Sequence, residues 1–235
     1  MRSIFIIFLI GFLTTSFSQV EKIKANQFHS IKIYGSFKVT LIKSETSRAE
    51  IDYRGLNPED VLIKSDDEEL QIKIRNRSFF DFNDDHRNRG KRYAQVTIYY
   101  TTLDNIDAKA GAVIRSEMTI DAKSFSIISK MGSDVKLDLN VKSLEVDSSM
   151  GSEVTLTGKT ETLEIKSKMG SNVNASMLQS QDVTVTSSMG SDVSVFAENN
   201  LNASADFGAS ISYKGNPAHK NTSKFLGAEV IQRKK

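Results

Sequence analysis

The sequence contains no cysteine and no tryptophan, and only 2 prolines and 3 histidines in 235 residues. Without cysteine there can be no disulfide, thiolate metal site, thiol nucleophile or lipid-bearing N-terminal cysteine. With so little proline, stiff proline-rich linkers are absent. His29, His86 and His219 stand far apart in the sequence, which argues against a histidine-built metal or catalytic cluster. Charge of one sign is also lacking. Lysine plus arginine (31) nearly balance aspartate plus glutamate (29), and a net charge of +2 gives no footprint for nucleic acid.

Long apolar runs are missing too, apart from one at the start. Arg2 precedes Ile4 to Leu13, an apolar stretch broken only by Gly11. That stretch is too short to span a bilayer, which takes about 20 apolar residues. Ser16-Phe17-Ser18 sets small residues where a signal peptidase reads them, so residues 1–18 are expected to be a signal peptide. Export follows, to the periplasm, the outer membrane surface or the medium, with no transmembrane segment in the mature chain.

What the sequence does have is a repeat. Met131-Gly132-Ser133-Asp134-Val135 returns as Met150-Gly151-Ser152-Glu153-Val154, Met169-Gly170-Ser171-Asn172-Val173 and Met189-Gly190-Ser191-Asp192-Val193. The glycines step by 19, 19 and 20 residues. Weaker copies flank the array at Ala110-Gly111-Ala112 and Phe207-Gly208-Ala209. Such a period marks a stacked architecture, in which each unit buries its apolar face only against its neighbours. Alternating runs such as Leu163-Glu164-Ile165-Lys166-Ser167 and Val173-Asn174-Ala175 flank each step and read as strands. The expected fold is all-β, a right-handed single-stranded parallel β-helix (a solenoid) with coils of about 19–20 residues. One β-helical domain is expected over 19–235. It divides into N-terminal strands at 26–105, regular repeats at 106–215, and a C-terminal cap and tail at 216–235.

Side chains alternate faces along a strand. Counting by two from Val183 through Met189 and Ser191 to Val195 keeps one parity, so Met and Ser are expected inside and Asp192 outside. On this reading Met-Gly-Ser is an architectural corner. Glycine allows the bend, methionine fills space beside it, and serine bonds nearby backbone.

Three chemical readings compete with that one. Calcium could use the Asp134, Glu153, Asn172, Asp192 ladder, but the ligand type changes from coil to coil. Copper(I) could use stacked thioethers, but Ala110 and Phe207 stand in for methionine in the flanking copies. Enzymatic hydrolysis or elimination needs paired acids or a base beside a cation, and the carboxylates are scattered over repeat-related surface positions. No catalytic, cofactor-binding or metal residue is therefore assigned, no cofactor is expected, and the protein is not expected to be an enzyme. Outside the repeat, Ser78 to Arg92 mixes Phe79, Phe80, Phe82 and His86 with both charge signs. It reads either as a contact loop or as an insertion whose aromatics pack back on the sheet, and the second is favoured.

The segments Phe28 to Leu41 and Val96 to Ala112 carry a further signal. With the layout of the chain from about Ile31 to Lys214, they resemble the auto-transporter adhesin, head GIN domain family, a bacterial domain of unknown function. The resemblance implies a β-helix superficially like pectin lyases, with small-residue turns between two sheets and no catalytic residues. The family's turn is often Gly-Ser-Gly or Gly-Ala, and this chain departs from it with Met-Gly-Ser. The expected function is thus a non-enzymatic exported envelope or surface protein for adhesion or ligand binding. Its partner would be an unknown surface ligand, glycan or protein, and it could self-associate. The alternatives are a carbohydrate-active β-helix enzyme and a periplasmic structural or sequestering protein.

Overall fold

The computed structural model describes residues 20–54, 56–75 and 93–233. The expected signal peptide and the Ser78 to Arg92 loop lie outside these residues. The described chain is a parallel β-solenoid of about seven turns. Four long strands form its body: β11 (Asp134–Ser149), β12 (Glu153–Lys168), β13 (Asn172–Ser188) and β14 (Asp192–Asp206). Each pairs in parallel with the next, so Asp134 sits beside Glu153, then Asn172, then Asp192. Strand β10 (Ile120–Lys130) joins the same stack beside β11. β8 (Asn105–Lys109) and β9 (Val113–Ser116) pair with β10 and β11 and form the coil before them.

Each coil of this body is flattened and turns at two corners, and inward alternation slips differently at each. At the second corner two consecutive residues face out, as at Glu161 and Thr162 between buried Thr160 and Leu163. The backbone stays extended there, so one long strand serves both sheets. Gly158, just before this corner, has φ +104°. A Cβ there would lie 2.0 Å from the Leu139 carbonyl oxygen, so the close stacking of coils requires glycine.

At the first corner two consecutive residues adopt left-handed angles. Met131, Met150, Met169 and Met189 have φ of 55–58°, and the glycines after them have φ of 68–69°. Ala110, Phe207 and Leu226 take the same place before Gly111, Gly208 and Gly227. Here the parity expectation fails for methionine. A left-handed residue does not alternate as an extended one does, so all four methionines point outward, 39–55% exposed. The expectation holds for serine, since Ser133, Ser152, Ser171 and Ser191 are buried.

These serines form a ladder inside the corner. Ser171 Oγ lies 2.9 Å from Ser167 Oγ, accepts from the Lys168 N–H at 3.1 Å, and donates to the Ser148 carbonyl of the preceding coil at 3.0 Å. Ser133, Ser152 and Ser191 reach back in the same way to the Ala108, Ser129 and Ser167 carbonyls at 2.7–3.0 Å. At two corners where the serine becomes alanine, its partner four residues earlier is alanine too, Ala108 with Ala112 and Ala205 with Ala209; at the last, Ala228 follows Lys224, again with no hydroxyl on either side. The hydroxyls thus come and go as pairs, as buried hydrogen bonding requires.

The N-terminal end departs from simple coiling. β2 (Ser30–Tyr34) and β3 (Phe37–Lys43) form the coil below β8 and β9, and β6 (Glu69–Ile74) and β7 (Ala94–Tyr100) the coil below that. Beyond it the sheet turns antiparallel, with β5 (Val61–Ser65) on β6, β4 (Arg48–Asp52) on β7, and β1 (Val20–Lys24) on β4. At the other end, where a cap and tail were expected, the chain adds two more parallel strands. β16 (His219–Lys224) pairs with β14, and β17 (Glu229–Gln232) pairs with β15 (Ser210–Lys214). Phe225 and Leu226 stay on the surface.

The serine ladder yields a prediction. Ser171→Ala should lose about 1–3 kcal/mol of stability in a urea unfolding curve, since it strands buried partners. The double variant Ser167→Ala/Ser171→Ala should lose clearly less than the sum of the single changes, as the natural alanine pairs imply. Additive losses would show that the hydroxyls act independently.

Candidate binding surfaces

The two corners present opposite chemistries along opposite edges of the solenoid. At the second corner lies an open groove of about 650 Å³ that crosses successive coils from β10 to β14. Lys123, Asn140, Lys142, Lys159, Gln179 and Gln181 line it, with Asp121, Glu161 and Glu198 among them. No aromatic ring lines the groove, so any recognition there rests on hydrogen bonds and charge. Equivalent positions recur one coil apart, about 4.8 Å. The Asn140 amide donates to Asp121 at 2.7 Å, which fixes one acceptor and leaves the neighbouring amides and ammoniums free to face a ligand.

A smaller hollow of about 330 Å³ shares Asp121, Ala122 and Lys123 with this groove and reaches Asp104. Asp104 bonds His29 Nδ1 at 2.9 Å. That bond, with the nearby Asp104 and Glu68 charges, raises the His29 pKa above its usual 6.5. Both side chains are about half exposed. Sequence reasoning missed this pair, because 75 residues separate its members and only the stacking of β2 on β8 unites them.

At the first corner the outward residues make an apolar ridge. Met131, Met150, Met169, Met189, Phe207 and Leu226 follow one another up the edge, and the Gly132, Gly151, Gly170, Gly190 and Gly208 N–H groups bond the carbonyls of the next residues in that series. Phe207 and Leu226 are 54% and 59% exposed. Phe225 packs edge-on against Phe207 at 6.2 Å between ring centroids. Left-handed backbone costs a non-glycine residue roughly 1–2 kcal/mol. Asparagine would adopt it more readily and would also be more soluble. The chain therefore carries repeated backbone strain at the same positions that expose apolar surface.

The Asp134, Glu153, Asn172, Asp192 ladder lies outward beside this ridge, as its parity implied. Asp134 is engaged by Arg115. Among the described residues no group of three histidine or carboxylate side chains is arranged to hold a metal ion. No described helix is long and apolar enough to cross a membrane.

With this geometry in view, comparison with known proteins places the chain. A family model described as "Putative auto-transporter adhesin, head GIN domain" matches residues 27–217. The chain belongs to this family. A search of curated proteins gave no match. Among solved structures, one described as a putative adhesin from Bacteroides fragilis NCTC 9343 is similar, with a TM-score of 0.79 at 22% identity. The likeness covers 92% of this chain and 96% of that one. A putative lipid binding protein from Parabacteroides distasonis ATCC 8503 has a TM-score of 0.66 at 14% identity, and a putative adhesin from Parabacteroides merdae ATCC 43184 has 0.61 at 16%. Each of these two also covers 92% of this chain and 96% of its own. These likenesses establish a shared solenoid fold. None of the descriptions is that of an enzyme.

Two outcomes follow from the site geometry. Met169→Asn should keep the fold and hold or raise the thermal midpoint, because asparagine relieves the left-handed strain. A clear fall in midpoint would mean that the Met169 side chain contributes packing that outweighs the strain. For His29 the folded pKa is raised, so its stabilisation is fully present below about 6.5 and is lost as pH rises through the folded value. The stability difference between wild type and His29→Gln should accordingly shrink between pH 5.5 and 8.5 in parallel unfolding curves. A constant difference would remove the ionised pair from the account.

Proposed function

We propose that this protein is a non-enzymatic binding protein of the bacterial envelope or cell surface, and that the groove at the second corner holds an extended glycan. The observation that carries this reading is the groove itself. It sets amide, ammonium and carboxylate groups at one-coil intervals along a straight edge, comparable to the length of one sugar unit in an extended chain. A rigid sheet holds these groups, so little order has to be gained on binding. The family description and the adhesin descriptions of similar structures support an adhesive use of such binding. The apolar run at Ile4 to Leu13 supports export.

A second reading is favoured by one observation, the His29–Asp104 pair, whose aspartate lines the smaller hollow adjoining the groove. A carboxylate-oriented imidazole is a usable general base. Among the described residues no third side chain bonds the ring, and Asp121, which lines the same hollow as Asp104, is the carboxylate that would have to serve as the second acid carbohydrate cleavage needs.

A glycan array probed with the purified protein tests the first reading. Lys142→Ala/Lys159→Ala should cut binding of any retained glycan at least tenfold with an unchanged circular dichroism spectrum. Retention untouched by these changes would move the site elsewhere. Release of reducing or unsaturated ends from a polysaccharide panel, abolished by His29→Gln, would overturn the non-enzymatic reading. Protease shaving of intact cells separates surface display from a periplasmic structural or sequestering role, in which the chain would be protected.

A further inference from the structure

We infer that the methionine ridge is a self-recognition surface, and that two copies of this chain pair side by side through it with their solenoid axes parallel. Three observations converge. The ridge is apolar, exposed and strained, so the chain sustains it at a conformational cost in each coil from Met131 to Leu226. It is periodic, and a second copy is a partner whose side chains necessarily repeat at the same interval. Identical side chains stacked at that interval mesh into dry interfaces. Methionine is suited to this, being unbranched and adaptable.

The third observation is charge, and it fixes the orientation. On the side entering the corner the residues beside the ridge are Lys109, Lys130, Ser149, Lys168, Ser188 and Asp206, a row of net positive charge. On the side leaving it they include Asp134, Glu153 and Asp192. A two-fold axis along the ridge brings the basic row of each copy opposite the acidic row of the other. A two-fold axis across the ridge would set lysines against lysines and acids against acids. Only the first is self-complementary, as a closed dimer requires. Lys109 and Lys130 are already paired within the chain, to Asp107 and Asp147. Lys168, Glu153 and Asp192 have no ion-pair partner among the described residues; in the paired copy Lys168 faces Asn172 and lies one coil, about 4.8 Å, from both Glu153 and Asp192, within reach of its long side chain.

From Met131 to Leu226 the ridge climbs five coils, about 24 Å at the parallel-strand spacing. With its two flanking rows it offers on the order of 500 Å² per partner, the low end of specific interfaces. A micromolar dimer is the expectation. It would turn the two polar grooves to opposite outer edges, giving two glycan sites per particle.

Sedimentation velocity on the purified protein from about 1 to 200 µM tests this. A concentration-dependent monomer–dimer shift is expected. Met150→Asn/Met169→Asn should weaken it at least tenfold while leaving the circular dichroism spectrum intact. Lys168→Glu and Glu153→Lys should each weaken it, and the two together should restore it. Because the chain has no cysteine, orientation can be read directly. Met131→Cys and Met189→Cys should each give covalent homodimers with a short bismaleimide, since a parallel pair sets every ridge residue opposite itself. A monomer at all concentrations, or a dimer indifferent to the asparagine changes, overturns the proposal. So does cross-linking only between different positions. Ridge-dependent binding of the monomer to phosphatidylethanolamine–phosphatidylglycerol vesicles would assign the ridge to a lipid surface instead. Glycan retention reads the groove separately, so this proposal and the proposed function fail independently.

Discussion

The stack depends on how the chain turns its first corner. Parallel strands cannot be joined by a tight hairpin, so each coil must reverse direction while keeping hydrogen bonds to the coils on either side. Two consecutive left-handed residues achieve the reversal. The buried serine that follows closes the inside of the bend by bonding a carbonyl of the preceding coil. Angle and hydrogen bond are coupled. Glycine supplies one left-handed residue cheaply, the residue before it supplies the other at a cost, and serine reaches back only from the position they create. The coil period, the strand register and the flat cross-section all follow from repeating this unit.

Much of this was legible in the sequence because it repeats. A 19-residue period of Met-Gly-Ser reveals coils, and the alternation of Val183, Val185, Val193 and Val195 reveals which face is buried. Serine parity survived the corner and methionine parity did not. Alternation assumes extended backbone at every step, and two left-handed residues break that assumption. Glycine alone announced positive φ, and nothing in the letter M announced that methionine shares it. The second corner was harder to read. Its only mark is a pair of consecutive outward residues, such as Glu161-Thr162, inside what is otherwise continuous strand.

The candidate surfaces were less legible than the fold, for a related reason. Each is an assembly of equivalent positions from several coils, and no single segment contains one. The groove collects Lys123, Lys142, Lys159 and Gln181 from coils about 20 residues apart, where each residue alone reads as an ordinary solvated side chain. The His29–Asp104 pair joins β2 to β8 only because the N-terminal coils stack out of sequence order, with β6 and β7 lying beneath β2 and β3. That rearrangement leaves no periodic trace.

Solenoids have ends, and how the ends are closed decides where other molecules can attach. At the N-terminal end antiparallel β5, β4 and β1 cover the last parallel coil. At the C-terminal end the closure is chemical. In β16, Lys220, Thr222 and Lys224 occupy the register of core residues Leu201, Ala203 and Ala205. Lys220 folds inward so that its ammonium donates to the Tyr213 hydroxyl at 3.1 Å. Inward-pointing charge is an effective guard against strand addition at an open edge, since a further coil would have to bury it. Addition of a further strand against β16 is thereby disfavoured. The flanks are left as the accessible surfaces, one polar and grooved, the other apolar and strained. A molecule that covers one end with antiparallel strands and guards the other with lysine, yet exposes methionine at four successive corners, has placed its apolar surface where lateral contact, and not axial stacking, can bury it.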